Sequence, residues 1–420
     1  MQGGKGESRE VRHQRPSGAV ATTRGAIAAH IRAFAASQTA LGYARGSLQR
    51  EIRLAAGFSQ WLKQEGVGLQ QVDADQVSRY LRVRRRQVLP NAGDRAALRH
   101  LLEFLRREGV IAAEPIAAPR LTPAERSVQA YADYLRDARA LASATITNYA
   151  PFIQGFLTDR FGDGSIRLAR LTARDVVQFV QRQAPRLHLK RAKLLTSALR
   201  SFLQYARYEG AVTLDLAAAV PAVANWSMPA IPRAIGDKQI RQLLASFNCR
   251  TATGRRDYAI VFLLARLGLR ANEVARLELE DLNWEAGQVS VRGKRDHRTV
   301  LPLPTDVGAA IAAYLRHGRP PSPSRRVFLR SKAPIQGFLG QCAIGSIVRH
   351  ALHRTRIVAP TTGAHQFRHA LATRMLRRGA SLTEIGEILR HRSPQTTMVY
   401  AKVDLPALRT LALPWPGGAQ

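Results

Sequence analysis

The sequence predicts a mostly α fold in which two small helical domains precede an α+β domain with a small β-sheet. Three observations support this prediction. Apolar residues recur at spacings of three and four along the chain, which is the period of an amphipathic helix. Two Leu- and Arg-rich segments resemble one another, and alternating runs typical of strands occur only in the last third. The predicted domains are residues 21–117, 126–222 and 235–405.

Composition restricts the class of protein. The chain has 420 residues, of which 45% are apolar, enough to form several hydrophobic cores and to exclude a wholly disordered chain. The sequence contains no run of 18 apolar residues, which excludes a transmembrane helix. The first residues lack the apolar core of a signal peptide. The two cysteines, Cys249 and Cys342, exclude a disulfide framework and a cysteine-based zinc module, and they fit a reducing cytoplasm.

The charge is strongly positive. Lys and Arg total 64 and Asp and Glu total 30, which gives a net charge of +34. Most of the basic residues are arginines, whose planar guanidinium matches pairs of phosphate oxygens. The excess is +10 in residues 1–124, +6 in 125–232 and +18 in 233–420, so it is not confined to a tail. A GC-rich genome would also raise the arginine content, but a charge this large indicates a nucleic-acid partner.

Two proline-rich stretches, residues 112–123 and 218–232, separate the chain into three parts. The first two parts resemble repeats, because LRHLLEFLRREGV at 98–110 aligns with LRSFLQYARYEGA at 199–211. Each repeat is expected to form about four helices. Outside the domains we expect a flexible tail (1–20), a linker (223–234) and a C-terminal tail (406–420).

Capping sequences predict the start of a matching helix in each repeat. Asp73-x-x-Gln76 and Thr172-x-x-Asp175 each place a capping side chain three residues before an acidic or amide residue. Both patterns precede an apolar helical run, which strengthens the case for duplication.

The third domain combines helices with a hairpin. Residues 288–292 (QVSVR) and 298–303 (RTVLPL) alternate in polarity, and Gly293 begins the turn between them. The remaining segments of this domain have helical periodicity. The predicted helices follow Asp237 and then cover 257–267, 307–315, 345–352, 364–377 and 382–390, with a last one from Pro394.

One helix junction in this domain is typical of an anion site. A helix ends at Gly268, and Arg270 begins the next helix, where N–H groups and a guanidinium favour an anion. Glu273, three residues later, is placed to hold the arginine. Lys294 lies at the hairpin tip, where a flexible ammonium group could reach a bound ligand. Taken singly, a surface arginine and a solvated turn lysine are the simpler explanations.

A histidine and an arginine share one face of a later helix. His365 and Arg368 are three residues apart, so both side chains project from the same side. A buried, hydrogen-bonded histidine would explain His365 equally well. His369 and Arg374 are neighbouring candidates of lower rank.

His391 and Tyr400 complete the series. His391 is expected at the C-terminal end of a helix, after which Ser393 and Pro394 are expected to start another, with the serine as N-cap. Tyr400 is expected on that final helix, six residues after Pro394. A single tyrosine usually serves packing alone, so its meaning depends on the other residues.

Together and in this order, these residues resemble the active-site series of the tyrosine recombinases, the phage integrase family. Residues 233–405 resemble the catalytic domain of that family, and residues 126–222 resemble its helical, SAM-like core-binding domain. The N-terminal domain resembles a second copy of the latter. The matching catalytic residues are Arg270, Lys294, His365, Arg368, His391 and Tyr400, with Glu273 in support.

Three positions depart from the pattern of the family. Leu267 replaces a common threonine, while Arg295 and Arg390 each replace a common glycine. None of these differences removes a catalytic group.

The resemblance implies that Tyr400 attacks a DNA phosphodiester, forms a 3′-phosphotyrosyl link and releases a 5′-hydroxyl that later reseals a strand. Two such exchanges would pass through a Holliday junction, with no metal, ATP or other cofactor. The implied roles are phosphate binding by Arg270, Arg368 and His391, protonation of the leaving oxygen by Lys294, and proton acceptance from the tyrosine by His365.

The resemblance also implies the partners. The DNA partner would be double-stranded and held in a C-shaped clamp. The protein partners would be further copies of the chain in a tetrameric synapse, with sister recombinases as additional candidates, and no membrane partner is implied. The expected setting is the bacterial cytoplasm, at the nucleoid, where the enzyme would integrate, excise or transpose a mobile element. Two alternatives stay open: a catalytically silent DNA-binding accessory subunit of a recombinase assembly, and a type IB topoisomerase, which acts as a monomer without a specific site.

Overall fold

The computed structural model describes residues 25–113, 121–223, 234–293 and 298–403. Within these ranges the chain is mostly helical and contains one three-stranded antiparallel sheet, as predicted. Both predicted tails and Lys294 lie outside the described residues. The 223–234 linker also lies outside them, except for its two end residues. No helix in the described part is both long and apolar enough to span a membrane.

The first helical region has its own hydrophobic core. Leu98, Leu101, Leu102 and Leu105 are all buried, because their spacing of three and four places them on one face of a helix. They pack with Phe58 and other apolar side chains of the same region. The four helices are α1 (Ala28–Ala40), α2 (Arg45–Gln64), α3 (Ala74–Arg84) and α4 (Asp94–Arg107).

The second helical region is built in the same way. Phe156, Leu199 and Phe202 are almost completely buried in its core. Burial of each such side chain contributes about 1.5–3 kcal/mol of hydrophobic stabilisation. The four helices are α5 (Pro123–Asp137), α6 (Ser143–Phe161), α7 (Ala173–Gln183) and α8 (Leu189–Tyr208).

The two predicted capping sequences differ in completeness. At α7 the Asp175 N–H donates to the Thr172 hydroxyl at 3.3 Å, and the Thr172 N–H donates to the Asp175 carboxylate at 2.9 Å. At α3 the Gln76 N–H donates to the Asp73 carboxylate at 2.9 Å. Gln76 Oε1 has no hydrogen-bond partner, so only half of the reciprocal pattern forms there.

The third region contains the sheet. Strands β1 (Leu282–Asn283), β2 (Gln288–Arg292) and β3 (Arg298–Pro302) pair antiparallel in that order. Val289 and Val291 of β2 face the core, which explains the alternating pattern that predicted the hairpin. β1 was not predicted, since two residues are too few to show alternation.

Helices precede and follow the hairpin along the chain. Before it come α9 (Asp237–Ala245), α10 (Ala252–Leu267) and α11 (Ala271–Arg276). After it come α12 (Thr305–His317), α13 (Gln341–Thr355), α14 (His365–Arg377), α15 (Leu382–Ile388) and α16 (Pro394–Met398).

Two local predictions about the last two helices were wrong. α15 ends at Ile388 rather than Arg390, because Arg390 has a φ of +56° and leaves the helical conformation. α16 ends at Met398, so Tyr400 lies on a 3₁₀ turn, Val399–Val403, rather than on the helix. The predicted N-cap residue, Ser393, is confirmed, and its hydroxyl donates to Gln395 Oε1 rather than accepting from an N–H group.

The described chain forms two compact units. The first and third regions belong to one unit, and the second region forms the other. Inside the first unit, the Ile335 N–H donates to the Leu41 carbonyl at 2.8 Å. This hydrogen bond joins the α1–α2 connection to the segment between α12 and α13.

Gly268 ends α10 in the left-handed conformation, with φ +58°. A Cβ there would lie 2.9 Å from methyl carbons of Leu371 and Leu389. We therefore expect Gly268→Ala to destabilise this region by about 2–4 kcal/mol, the sum of left-handed strain and overpacking. Denaturant unfolding of the purified variant measures this loss.

Gly287 provides the matched control. It also has φ +58°, but a Cβ there would meet no heavy atom within 4 Å. Gly287→Ala should therefore cost only the conformational strain, about 1–2 kcal/mol. Equal losses in the two variants would contradict the packing argument for Gly268.

Candidate active site

A cleft of about 570 Å³ in the third region brings several of the predicted residues together. It lies between the β2–β3 hairpin, the start of α11 and the segment after α15. The lining residues are Arg270, Glu273, Val291, Gly293, Thr299, Arg390, His391, Arg392 and Thr396. Glu273 is the only carboxylate in this lining, so among the described residues the cleft is predominantly cationic.

Arg270 is the N-cap residue of α11 and is held by Glu273. The Arg270 N–H donates to Glu273 Oε2 at 2.8 Å, and Arg270 Nη1 donates to Glu273 Oε1 at 2.8 Å. The Glu273 side chain is buried, whereas 42% of the Arg270 side chain is exposed. The buried carboxylate thus fixes an arginine whose guanidinium still reaches the cleft, and this pairing was predicted from the spacing.

Arg368 is almost completely buried, with 1% of its surface exposed. Its Nη1 donates to the Gly268 carbonyl at 2.9 Å, and its Nη2 donates to the Leu389 carbonyl. Burial, together with the neighbouring charges of Arg270 and Arg390, lowers the pKa of the guanidinium to about 10. Arg368 remains a cation at neutral pH and ties the end of α10 to the end of α15.

His391 lies in the loop after α15, with its ring in the cleft. Its Nδ1 is 2.7 Å from the Thr397 hydroxyl oxygen. Burial, together with the nearby charges of Arg368 and Arg270, lowers the pKa of His391 to about 4. The imidazole is therefore neutral at pH 7 and can share a hydrogen bond with a phosphate oxygen without adding charge.

Tyr400 is buried, with 1% of its surface exposed. Its hydroxyl lies 2.9 Å from Nδ1 of His369, and its ring is nearly parallel to that of His391, at an angle of 8° and a centroid distance of 6.4 Å. Burial raises the pKa of Tyr400 to about 12. The side chain is consequently a neutral phenol next to a histidine.

The hydrogen-bond partner that the structure describes for the Tyr400 hydroxyl is His369, whereas the histidine proposed as base from the sequence is His365. His365 lies one helical turn earlier on α14, and its ring meets that of His369 edge-on at 4.7 Å between centroids. His369 was a candidate of lower rank in the sequence, and the two histidines share a helix face because they are four residues apart. Only the packing of the Val399–Val403 turn against α14 decides which of them reaches the hydroxyl.

Lys294 lies outside the described residues, although Gly293 immediately before it lines the cleft. Across the ranges that the structure describes, no three His, Cys, Asp or Glu side chains form a group able to hold a metal ion.

Two models of known protein families match the chain. Residues 233–405 match the phage integrase family, and residues 128–210 match the SAM-like N-terminal domain of phage integrases. A predicted integrase/recombinase of Sinorhizobium fredii, y4rA, is 56% identical over 398 residues, which is 94% of this chain and 96% of that protein. The tyrosine recombinase XerA of Pyrococcus furiosus is 28% identical over 280 residues, which is 66% of this chain and 89% of that protein.

The fold also matches a solved recombinase structure. The site-specific recombinase XerH, bound to its palindromic difH substrate in a post-cleavage complex, superposes with a TM-score of 0.54. The alignment has 18% sequence identity and covers 68% of this chain and 83% of XerH. The 56% identity with y4rA over 94% of this chain, together with the matched family model, shows that the chain belongs to the phage integrase family, the tyrosine recombinases, which are site-specific enzymes that cleave and rejoin DNA.

Proposed function

We propose that Tyr400 is the nucleophile with which this recombinase cleaves DNA. The tyrosine oxygen attacks the phosphorus, the bond to the 5′-oxygen breaks, and the strand stays linked as a 3′-phosphotyrosine. The reverse attack by a 5′-hydroxyl restores the phosphodiester and releases the tyrosine. The observation that carries this proposal is the hydrogen bond between Tyr400 and His369 in the domain that holds the arginine pair.

The cationic groups stabilise the transition state. Arg270 and Arg368 neutralise the charge that develops on the non-bridging oxygens of a pentacoordinate phosphorus. His391, neutral at pH 7, adds a hydrogen bond to the same phosphate. Lys294 donates a proton to the leaving 5′-oxygen, so that the electron pair of the broken bond is not left as an alkoxide.

Tyr400 requires a base. With a pKa of about 12, ionising the phenol at pH 7 costs about 7 kcal/mol, since each pKa unit is 1.36 kcal/mol. His369 is placed to accept that proton directly as the phosphorus is attacked. His365 packs against the ring of His369 and restricts its orientation.

We expect His369→Ala to slow strand cleavage by about 10²–10⁴-fold, the usual contribution of a positioned base. Added imidazole should restore part of the rate, because the deleted ring leaves space beside the Tyr400 hydroxyl. Cleavage rates at saturating DNA measure both effects. A wild-type rate in His369→Ala together with a large loss in His365→Ala would return the role of base to His365.

The DNA substrate is double-stranded and the working assembly is a tetramer of this chain on two recombination sites, with sister recombinases as further partners. The positive charge of the chain supports DNA binding, which we expect to weaken steeply with salt. Its relationship to the y4rA integrase/recombinase supports a role in DNA integration or recombination. We propose that the reaction integrates, excises or transposes a mobile element and takes place in the cytoplasm of a bacterium, at the nucleoid.

A trapping experiment tests the proposed function. The protein is incubated in EDTA with nicked duplexes that span the ends of its genetic element, so that the short cleaved fragment diffuses away. We expect a protein–DNA adduct that survives SDS and is removed by protease. Specific binding to these ends without any adduct would instead indicate a silent accessory subunit.

A relaxation assay on an unrelated supercoiled plasmid would distinguish a type IB topoisomerase from the proposed site-specific recombinase. A type IB enzyme relaxes such DNA without a specific site, whereas we expect no relaxation of a plasmid that lacks the recombination site. Efficient relaxation of that plasmid would contradict the proposal.

A further inference from the structure

Arg390 occupies a backbone position that disfavours it. Its φ is +56°, which lies in the left-handed region, where the backbone of any residue other than glycine is strained. The strain is retained next to His391, in the cleft. Strained residues of this kind persist where the surrounding contacts hold them, so the contacts of the Arg390 side chain are informative.

The Arg390 guanidinium is directed at the buried carboxylate that holds Arg270. Arg390 Nη2 donates to Glu273 Oε2 at 2.9 Å, and only 10% of the Arg390 side chain is exposed. The Arg390 carbonyl accepts a hydrogen bond from Arg270 Nη2 at 3.3 Å. One residue thus contacts both members of the Arg270–Glu273 pair, with its side chain on one and its backbone on the other.

The same segment carries two further groups of the site. The Leu389 carbonyl, immediately before Arg390, accepts from Arg368, and the N–H of His391, immediately after, donates to the Gly386 carbonyl at 2.8 Å. Anchoring Arg390 therefore places an acceptor of Arg368 and the ring of His391 relative to α11. Without this side-chain anchor, Glu273 would bind Arg270 alone, and of the two links described here the loop would keep the hydrogen bond from Arg270 to the Arg390 carbonyl and lose the other.

We infer that Arg390 is a positioning residue that acts through Glu273 to fix Arg270 and to hold the 389–391 segment against α11. This inference rests on the proposed function of the cleft. The Arg390 guanidinium donates to the buried Glu273 carboxylate, and we expect Arg390 to act through this contact rather than through the DNA phosphate.

The first test measures the cleavage rate at saturating DNA and the Kd for the same duplex. We expect Arg390→Ala to slow cleavage by about 10–100-fold, in the range of coupling between contacting residues, while the Kd changes by less than about threefold. Arg390→Lys, which keeps a cation near Glu273, should recover most of the rate. Arg378→Ala, which removes one exposed arginine on the same domain outside the cleft, should cleave like the wild type.

The second test separates positioning from direct DNA contact. In a Glu273→Gln background, where the charge that Arg390 binds is absent, Arg390→Ala should slow cleavage by less than about threefold. An equal loss in both backgrounds would overturn the inference, because Arg390 would then act on the DNA itself. A wild-type rate for Arg390→Ala would also overturn it.

The outcomes distinguish this inference from the proposed function. If the wild type forms no adduct, the proposed function fails. The coupling is then measured from the urea unfolding midpoints of the wild type, Arg390→Ala, Glu273→Gln and the double variant. Non-additive midpoint changes would still support the Arg390–Glu273 coupling, and additive changes would overturn it.

Discussion

Replacing Tyr400 with phenylalanine should abolish covalent linkage to DNA. The change removes the oxygen that we propose attacks the phosphorus, and it leaves the ring, and therefore most of the packing, in place. Loss of a catalytic nucleophile elsewhere costs up to about 10⁶-fold in rate, so no adduct should be detected on nicked duplexes. The loss of the hydrogen bond to His369 should cost only about 1 kcal/mol of stability.

The control for this experiment is a tyrosine in the same domain. Tyr258, on α10, is partly buried, and Tyr258→Phe should form the adduct at the wild-type rate. Both variants should bind the duplex with unchanged affinity, measured by gel shift or fluorescence anisotropy. An adduct that persists in Tyr400→Phe would show that another residue is the nucleophile.

Replacing Arg368 with alanine should impair both catalysis and folding. Catalytically, the loss of one oxyanion donor costs about 10²–10³-fold in rate. Structurally, the carbonyls of Gly268 and Leu389 lose the guanidinium that they share, and each unsatisfied buried group costs about 1–3 kcal/mol. Together with the cavity, we expect the unfolding free energy to fall by about 3–5 kcal/mol.

Arg368→Lys keeps this prediction testable if the alanine variant does not fold. Lysine retains the positive charge but cannot place two nitrogens in a fixed plane, so it should satisfy one carbonyl and lose the other. We expect a smaller loss of stability, about 1–3 kcal/mol, and a cleavage rate still at least about 10-fold below wild type. Urea unfolding and single-turnover cleavage provide the two measurements, and wild-type values in both would contradict the assigned role.

The spacing of residues along the chain predicted much of the candidate site. The Gly268–Arg270–Glu273 sequence predicted a helix end followed by an arginine that a carboxylate holds, and the structure shows this arrangement. These features are local, because the helix ends and the three-residue spacing set them. The helical periodicity and the alternating run at Gln288–Arg292 likewise predicted the elements that carry the site.

Other features depended on contacts between distant segments. The choice of His369 over His365 as partner of Tyr400 results from where the 399–403 turn packs on α14, 31 residues away in sequence. Arg368 was predicted as a phosphate ligand, but its links to Gly268 and Leu389 span 100 and 21 residues. Hydrogen bonds of this kind have no periodic signature in the sequence.

Sequence by itself determined the helical content, the hairpin and the cationic character, since these follow from composition and short-range spacing. The candidate catalytic residues were recognised from the sequence as well, but through the resemblance of their order to the phage integrase family. Tertiary structure alone decided the burial of Tyr400, the two carbonyl partners of Arg368 and the sharing of Glu273 by Arg270 and Arg390. These features arise because packing desolvates each group and thereby determines which partner must satisfy its hydrogen bonds.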